Sequence, residues 1–204
     1  MKRVILGLLG LALLACEHMG VDPNAVVYHS AFGFTAEIPA AWLAVDAGEV
    51  AQRASQSTPG ALENIDPELL ADFEAALRGG EVEIFFRPAE VAGGFVDNVS
   101  LRATPGGFPP ADRDVLASCD VLTQTLSAAY GRPVALSVCE LRRVAQRRSL
   151  YVEATGAVDG IHSLQYLIER PSGALIVVTG TALTESLPTL RGEIDAMVGS
   201  LELE

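Results

Sequence analysis

The chain has 204 residues, of which half are apolar and a fifth are charged, a composition typical of a globular protein and not of a disordered or fibrous one. Its formal net charge is −12, a sign that excludes nucleic acid and anionic lipid head groups as electrostatic partners. Without its first fifteen residues the chain keeps about 190, enough for one domain with a substantial core.

The amino terminus has the pattern of an export signal. Lys2 and Arg3 precede twelve apolar or glycine residues, 4–15. A membrane span needs about 20 such residues, so this run is typical of a signal-peptide h-region. The stretch LLAC that ends at Cys16 resembles the bacterial lipobox, whose cysteine is acylated and becomes the new amino terminus. We predict a lipoprotein signal peptide over 1–15; a secretory signal with a chance cysteine, or an uncleaved anchor, is the alternative.

Lipidation at Cys16 would attach the mature chain to a bilayer, because each buried methylene contributes about 0.8 kcal/mol and two or three acyl chains together hold a protein firmly. Lipoproteins of bacteria with two membranes tend to stay in the inner membrane when aspartate follows the cysteine. Here the next residue is Glu17, so this resemblance predicts the outer membrane, facing the periplasm. Residues 16–25 lack periodicity and predict a tether of at most about 35 Å, followed by one domain over 26–204.

The first half of that domain alternates short strands with one helix. Apolar residues alternate with polar ones over 34–38, which predicts a half-buried strand, and Trp42 should pack over the first hairpin. Asp66 has the position of a helix N-cap before a proline and an apolar stripe that a Gly-Gly pair ends. Two further β runs follow, over 81–88 and 97–105.

The second half contains two helices that flank a series of strands. Apolar residues at helical spacing predict helices from about 110 to 130 and from about 186 to 198. Between them lie four β runs: 132–144, 149–158, 162–170 and 174–183. Their junctions carry short hairpin signals. Four consecutive hairpin-linked strands imply an antiparallel sheet.

Three stretches carry a resemblance to a known family. FGFTAEIPAAW, FRPAEVAGGFVDNVSLRATP and GALIVVTGTALTE, in this order and with helices between them, resemble the PsbP-like and DcrB-like proteins. The resemblance spans about Tyr28 to Leu201. It implies an α/β fold of the α+β kind, a three-layer α/β/α sandwich around a mainly antiparallel sheet, and it implies a noncatalytic accessory or binding module.

No catalytic motif is present in the sequence. The chain lacks GxSxG, HExxH, phosphate-binding glycine loops and paired CxxC, each of which would supply a nucleophile, a metal or a phosphate cradle at fixed spacing. His18, His29 and His162 are single and widely separated, which favours surface or strand-edge histidines over a metal site. We therefore predict no cofactor, no metal and no enzymatic activity; a hydrolase with an unrecognised site is the alternative.

Cys119 and Cys139 form a candidate disulfide, since exported proteins retain such bonds. Cys119 lies about 17 Å along its helix before Tyr130, and Cys139 about 20 Å along its strand after Pro133, so antiparallel packing brings the two cysteines level. Strand alternation, however, places Cys139 on the side of Ala135, Ser137 and Leu141. Two buried free thiols are the alternative.

Two features predict contacts with a partner. Arg142, Arg143, Arg147 and Arg148 cluster around one hairpin turn of an otherwise acidic chain. They could grip a phosphate or carboxylate, or could pair with neighbouring Asp and Glu side chains at a solvated tip. Phe95 lies between glycines and polar residues in the loop 92–98, where it could contact a partner or fold back under its own loop.

Together these features predict a lipid-anchored envelope protein that binds or scaffolds another, unknown envelope protein. A purely structural envelope lipoprotein is the remaining alternative. An enzyme should have a deep pocket with converging polar groups, whereas a binding module should have an exposed apolar or arginine-lined patch.

Overall fold

The computed structural model describes residues 24–45, 75–76, 78–87 and 97–204, and these residues form ten strands and two long helices. The strands are β1 (Val26–Ser30), β2 (Phe34–Ile38), β3 (Leu43–Val45), β4 (Glu83–Phe86), β5 (Asn98–Thr104), β6 (Ala135–Val144), β7 (Arg147–Thr155), β8 (Ile161–Glu169), β9 (Leu175–Leu183) and β10 (Glu202–Leu203). The helices are α1 (Asp112–Tyr130) and α2 (Leu187–Gly199).

Seven of the strands form one antiparallel sheet in the order β3-β4-β5-β9-β8-β7-β6. The four strands β6 to β9 follow one another as hairpins, as the turn signals at their junctions predict. A smaller antiparallel sheet has the order β1-β2-β10 and pairs the carboxyl-terminal strand with β2.

The two long helices pack on opposite faces of the large sheet. Val115 of α1 packs against Leu150 and Val152 of β7. Tyr151 lies between them in the same strand, and its side chain joins the core on the opposite face with Leu190 of α2. Because successive strand side chains point to opposite faces, these contacts define three layers, and the predicted α/β/α sandwich is confirmed.

The larger core lies on the α2 face of the sheet. The small sheet contributes Phe34 and Ile38 to it, and Trp42, which is only 7% exposed, closes one end, as expected for a residue that follows the first hairpin. Gly180 of β9 lies directly under α2, where its missing side chain leaves room for Ile194. Burial of this apolar surface is the main driving force that holds α2 on the sheet.

Some elements differ from the expectations. β3 and β10 are three and two residues long, too short to give a periodic signal. The helix predicted from Asp66 lies outside the described residues, apart from 75–76 and 78, which are helical. That helical turn ends at Gly80, whose φ of 70° is left-handed, as the Gly-Gly stop predicts.

Candidate functional site

The hairpin β6–β7 carries the four clustered arginines and turns at Ala145 and Gln146, whose φ angles are 47° and 62°. Two successive positive φ angles are the geometry of the tight turn that suits strand twist. The register pairs Arg142 with Ser149, Arg143 with Arg148, and Val144 with Arg147. Opposed residues of an antiparallel pair share a face and neighbours alternate. The arginines are therefore divided, with Arg142 and Arg147 on the α2 face and Arg143 and Arg148 on the α1 face.

Arg148 is committed to contacts inside the chain. Its guanidinium donates to both carboxylate oxygens of Glu169, at 2.8 and 3.1 Å, and to the carbonyl oxygens of Pro109 and Pro110, at 2.9 and 3.1 Å. The hydrogen bonds from Arg148 lower the pKa of the Glu169 carboxyl. Arg148 thus ties β8 to the segment that leads into α1, and its role is structural.

Arg142 belongs to a second group of contacts on the α2 face. Its guanidinium carbon lies 3.5 Å from the ring centre of Tyr151, the geometry of a cation–π contact. It donates to the hydroxyl of Tyr166 at 2.5 Å and to Glu140 at 2.7 Å, and Tyr166 donates onward to Asp195 of α2 at 2.6 Å. The side chain of Arg142 is one third exposed.

Glu153 and Arg191 extend this group toward the middle of the sheet. Arg191 of α2 donates to both oxygens of Glu153, at 2.7 and 2.9 Å, and Tyr151 donates to the same carboxylate. The hydrogen bonds from Arg191 lower the pKa of Glu153, while burial raises the pKa of Tyr151 and of Tyr166. The charged and phenolic side chains on the strip of sheet beside α2 are therefore hydrogen-bonded to one another. A ligand that bound at this strip would need a group that is not already paired.

Arg143 and Arg147, in contrast, are exposed on opposite faces of the hairpin tip. Arg143 donates to the carbonyl oxygen of Gln146 across the turn at 3.3 Å. These two are the arginines of the predicted cluster that the fold leaves at the surface. Phe95, the other predicted partner contact, and Cys16, the predicted lipidation residue, lie outside the described residues.

A buried polar group lies on the opposite side of α2, toward β4 and β5. Arg87, Asp97 and Ser149 are the buried polar or charged residues of the described chain, and Arg87 is 3% exposed. Arg87 forms an ion pair with Glu193 of α2 and lies 3.8 Å from a carboxylate oxygen of Asp97. Glu193 also accepts from the indole Nε1 of Trp42 at 3.0 Å.

Asp97 completes this buried group by accepting from Ser186, just before α2, at 2.9 Å. Arg87 at the end of β4 thus contacts the middle of α2, and Asp97 at the start of β5 contacts the residue that precedes the helix. A cavity of about 10 Å³ lies beside Trp42 and Glu193. That volume is enough for about one water molecule. The arrangement fits a structural clamp on α2, because a substrate site would need several hundred Å³.

The described residues contain no group of three or more His, Cys, Asp and Glu side chains that could hold a metal ion. His162 shares a hydrogen bond of 3.0 Å with Thr184, and His29 is exposed on β1; within the described chain neither belongs to such a group. His18 lies outside the described residues. Neither α1 nor α2 has the length and apolarity that a bilayer crossing requires, and no other described helix has them.

Cys119 of α1 and Cys139 of β6 are joined in a disulfide with a Cα–Cα distance of 6.3 Å. Strand alternation alone had placed Cys139 on the side of Ser137. The register of β6 shifts between Leu136 and Val138, so Leu136 and Cys139 both pack with α1. Cys139 thus shares its side with Leu141, as expected, but not with Ala135, because the extra residue at Ser137 reverses the alternation between them.

Sequence reasoning did not identify Tyr151, Tyr166, Glu153, Arg191 and Asp195 as one group. A local signal was present in α2, where Arg191 and Asp195 are four residues apart and each follows a buried apolar residue, so that both lie at the border of the helix's buried face. The alternation of Tyr151 with Glu153 in β7 places both on one face. What could not be deduced is that these two faces meet.

The fold is similar to that of several solved structures. The solution structure of cyanobacterial PsbP (CyanoP) from Synechocystis sp. PCC 6803 matches with a TM-score of 0.54 and 18% identity, over 94% of this chain and 99% of that chain. The Saccharomyces cerevisiae Ran-binding protein Mog1p matches with a TM-score of 0.50 and 9% identity, over 88% and 95%. LpqN, involved in cell envelope biogenesis of Mycobacterium tuberculosis, matches with a TM-score of 0.50 and 10% identity, over 88% and 90%.

No protein-family model and no curated protein matches this chain. The similarity to solved structures thus concerns the fold, which is PsbP-like, as the three quoted stretches predicted. Proteins of this fold include one described as Ran-binding and one described as involved in cell envelope biogenesis.

Proposed function

We propose that this chain is a noncatalytic accessory protein of the bacterial envelope, anchored by lipid on Cys16 and binding another envelope protein through the tip of the β6–β7 hairpin. The signal-like residues 1–15 and the lipobox-like LLAC support the anchor. Glu17 after the cysteine supports the outer membrane, with the domain facing the periplasm. The fold supports an accessory role by analogy.

The observation that carries the binding role is the separation of the four arginines. Arg142 and Arg148 are held by internal carboxylates, whereas Arg143 and Arg147 are exposed at the tip. The mature chain carries 12 arginines against 26 acidic residues, a net charge of −14. Two exposed guanidiniums on so acidic a molecule would attract an acidic patch on the partner. The rest of the surface would repel the same patch, so the hairpin tip would be its contact site. Phe95, three residues before β5, is a further candidate contact.

The anchor is tested by Cys16→Ser. In the native organism, labelled palmitate should enter the wild-type chain and not the variant, and the variant should move from the membrane fraction to the soluble fraction. Equal labelling of the two chains would contradict lipidation at Cys16, and membrane retention of an unlabelled variant would contradict lipid as the anchor.

The binding role is tested by crosslinking in native membranes followed by mass spectrometry. Arg143→Ala/Arg147→Ala should lose a partner that the wild-type chain captures. Arg102→Ala/Arg113→Ala is the matched control, because it removes the same charge from exposed positions on β5 and α1 and should keep the partner. Loss of the partner from both double variants, or from neither, would count against the hairpin tip as the contact surface.

A further inference from the structure

β6 is the terminal strand of the seven-stranded sheet. Its inner side pairs with β7, and in an antiparallel ladder about half of the backbone N–H and C=O groups of a terminal strand point outward. The bulge at Ser137 interrupts the ladder at one end and the turn at Ala145 ends it at the other, so the regular part of this edge is 138–144.

The residues of this edge form a self-complementary pattern. On the α2 face the order is Val138, Glu140, Arg142 and Val144, and Leu141 is central on the α1 face. We propose that two copies of this chain pair through β6, antiparallel and centred on Leu141. Val138 then faces Val144 of the second copy, Glu140 faces Arg142, and Leu141 faces itself. The pairs on the α2 face are thus apolar or of opposite charge, and on the α1 face Leu141 is flanked by Cys139 facing Arg143.

Registers of the same pairing that are centred on Glu140 or Arg142 place like charges together. A two-fold axis perpendicular to the sheet must pass midway between the two copies of one residue, because only then do opposed side chains share a face. An axis through Glu140 would place two carboxylates in contact, and an axis through Arg142 would place two guanidiniums in contact. Like charges directly opposite on neighbouring strands are destabilising. An axis at Cys139 would oppose Val138 to Glu140 and would pair only residues 138–140 of the regular edge, so Leu141 is the favoured centre.

The helix above this edge leaves room for a second copy. Val115 of α1 packs against β7 and Cys119 is bonded to β6, so α1 lies over both strands. A helix centred between β6 and β7 would lie about 10 Å from its copy across the axis, because strands are about 4.8 Å apart, and this is a normal helix-packing distance. Leu116, which is 41% exposed, lies about 60° beyond Cys119 around the helix, on the side away from Val115, and faces its copy.

Charged side chains usually protect a terminal strand against pairing. Here Glu140 and Arg142 would disfavour pairing with most strands. They would not disfavour pairing with a second β6, because Glu140 of each copy faces Arg142 of the other. In one copy alone Arg142 already donates to Glu140 at 2.7 Å, and Glu140 is half exposed and can accept from a second guanidinium. The same two residues therefore exclude foreign strands and select this chain.

The register is tested by disulfide trapping in membranes that contain two differently tagged full-length chains. Glu140→Cys in one chain and Arg142→Cys in the other should give a mixed-tag dimer on oxidation, since opposed Cβ atoms are about 5 Å apart. Glu140→Cys in both chains is the control, because those positions would be about 8 Å apart and should crosslink weakly. The parent chain reports any contribution of its own cysteines. Absence of the mixed dimer, or equally strong trapping in the control, would overturn this register.

A second measurement leaves Arg142 intact and needs no crosslink. Sedimentation equilibrium of the full chain in detergent should detect a dimer whose dissociation constant rises about tenfold in Glu140→Arg, because two attractive pairs become repulsive. Glu37→Arg makes the same change of charge at an exposed position on β2 and should leave the constant unchanged. A wild-type chain that stays monomeric up to about 1 mM, or equal effects of the two variants, would overturn the proposal.

Discussion

The guanidinium of Arg142 contacts a ring face, a phenol and a carboxylate at the same time. Only a planar, permanently charged group can stack on Tyr151 and still donate in its own plane to Tyr166 and Glu140. A lysine would keep the charge and lose the stacking geometry. At the residue scale, the chemistry of this surface therefore depends on two tyrosines that other strands bring to Arg142.

The carboxyl of Glu153 should make the stability of the folded chain depend measurably on pH. The hydrogen bonds from Arg191 lower its pKa in the folded chain below the ordinary value of 4.5. A carboxyl of lowered pKa contributes stability above its unfolded value and loses that contribution as the pH falls through its folded pKa. We expect Glu153→Gln to lose less stability than the wild-type chain between about pH 6 and about pH 3, measured as the midpoint of urea denaturation.

The control for this comparison is Glu37→Gln, which removes the same charge from an exposed position on β2 and should keep the wild-type slope. If the midpoints of Glu153→Gln and the wild-type chain fell in parallel, the pair formed by Glu153 and Arg191 would contribute nothing to acid stability.

At the element scale, the approach of α2 to the sheet depends on Gly180. A side-chain carbon at this position of β9 would lie 2.1 Å from Cδ1 of Ile194 and 3.2 Å from Leu190. Both neighbours are buried in the core, so they have little room to move. We expect Gly180→Ala to lower the free energy of unfolding by about 1–3 kcal/mol, the usual cost of overpacking a core, measured by urea denaturation.

Two companion variants identify the cause of that loss. Ile194→Val removes the colliding Cδ1, so the double variant should be at least about 1 kcal/mol more stable than the sum of the single effects predicts. Gly192→Ala alters a glycine of α2 that has no close neighbour and should stabilise the helix by about 0.5–1 kcal/mol. Strictly additive effects would mean that α2 does not rest on Gly180.

At the scale of the whole molecule, the disulfide joins α1 to the edge of the sheet. The bond spans a separation of 20 residues, and a crosslink of this length stabilises chiefly by restricting the unfolded chain. We expect Cys119→Ser/Cys139→Ser to lower the free energy of unfolding by about 3 kcal/mol. Reduced wild-type chain should match the double variant, and an unchanged denaturation midpoint on reduction would contradict the role of the bond.

Local patterns in the sequence determine much of this molecule. The β runs that become β6 to β9, the turn signals between them and the helical stripes of α1 and α2 predict these elements, because short turn-rich junctions favour hairpins and burial on one face imposes a period of about 3.6 on a helix. The stretches around Trp42 and Asp97 indicate the PsbP-like fold. The export signal and Cys16 are likewise features of the sequence alone, and they remain predictions.

Tertiary structure decides which charges remain available. Four arginines around one turn are equivalent in the sequence, yet Glu169 holds Arg148 and the tyrosines hold Arg142, so Arg143 and Arg147 are the ones exposed. One bulge at Ser137 reverses the face of every β6 residue after it and turns Cys139 toward α1. Such outcomes depend on which surfaces pack together. The free energy of this packing comes from residues far apart in the chain, so no local sequence pattern can indicate it.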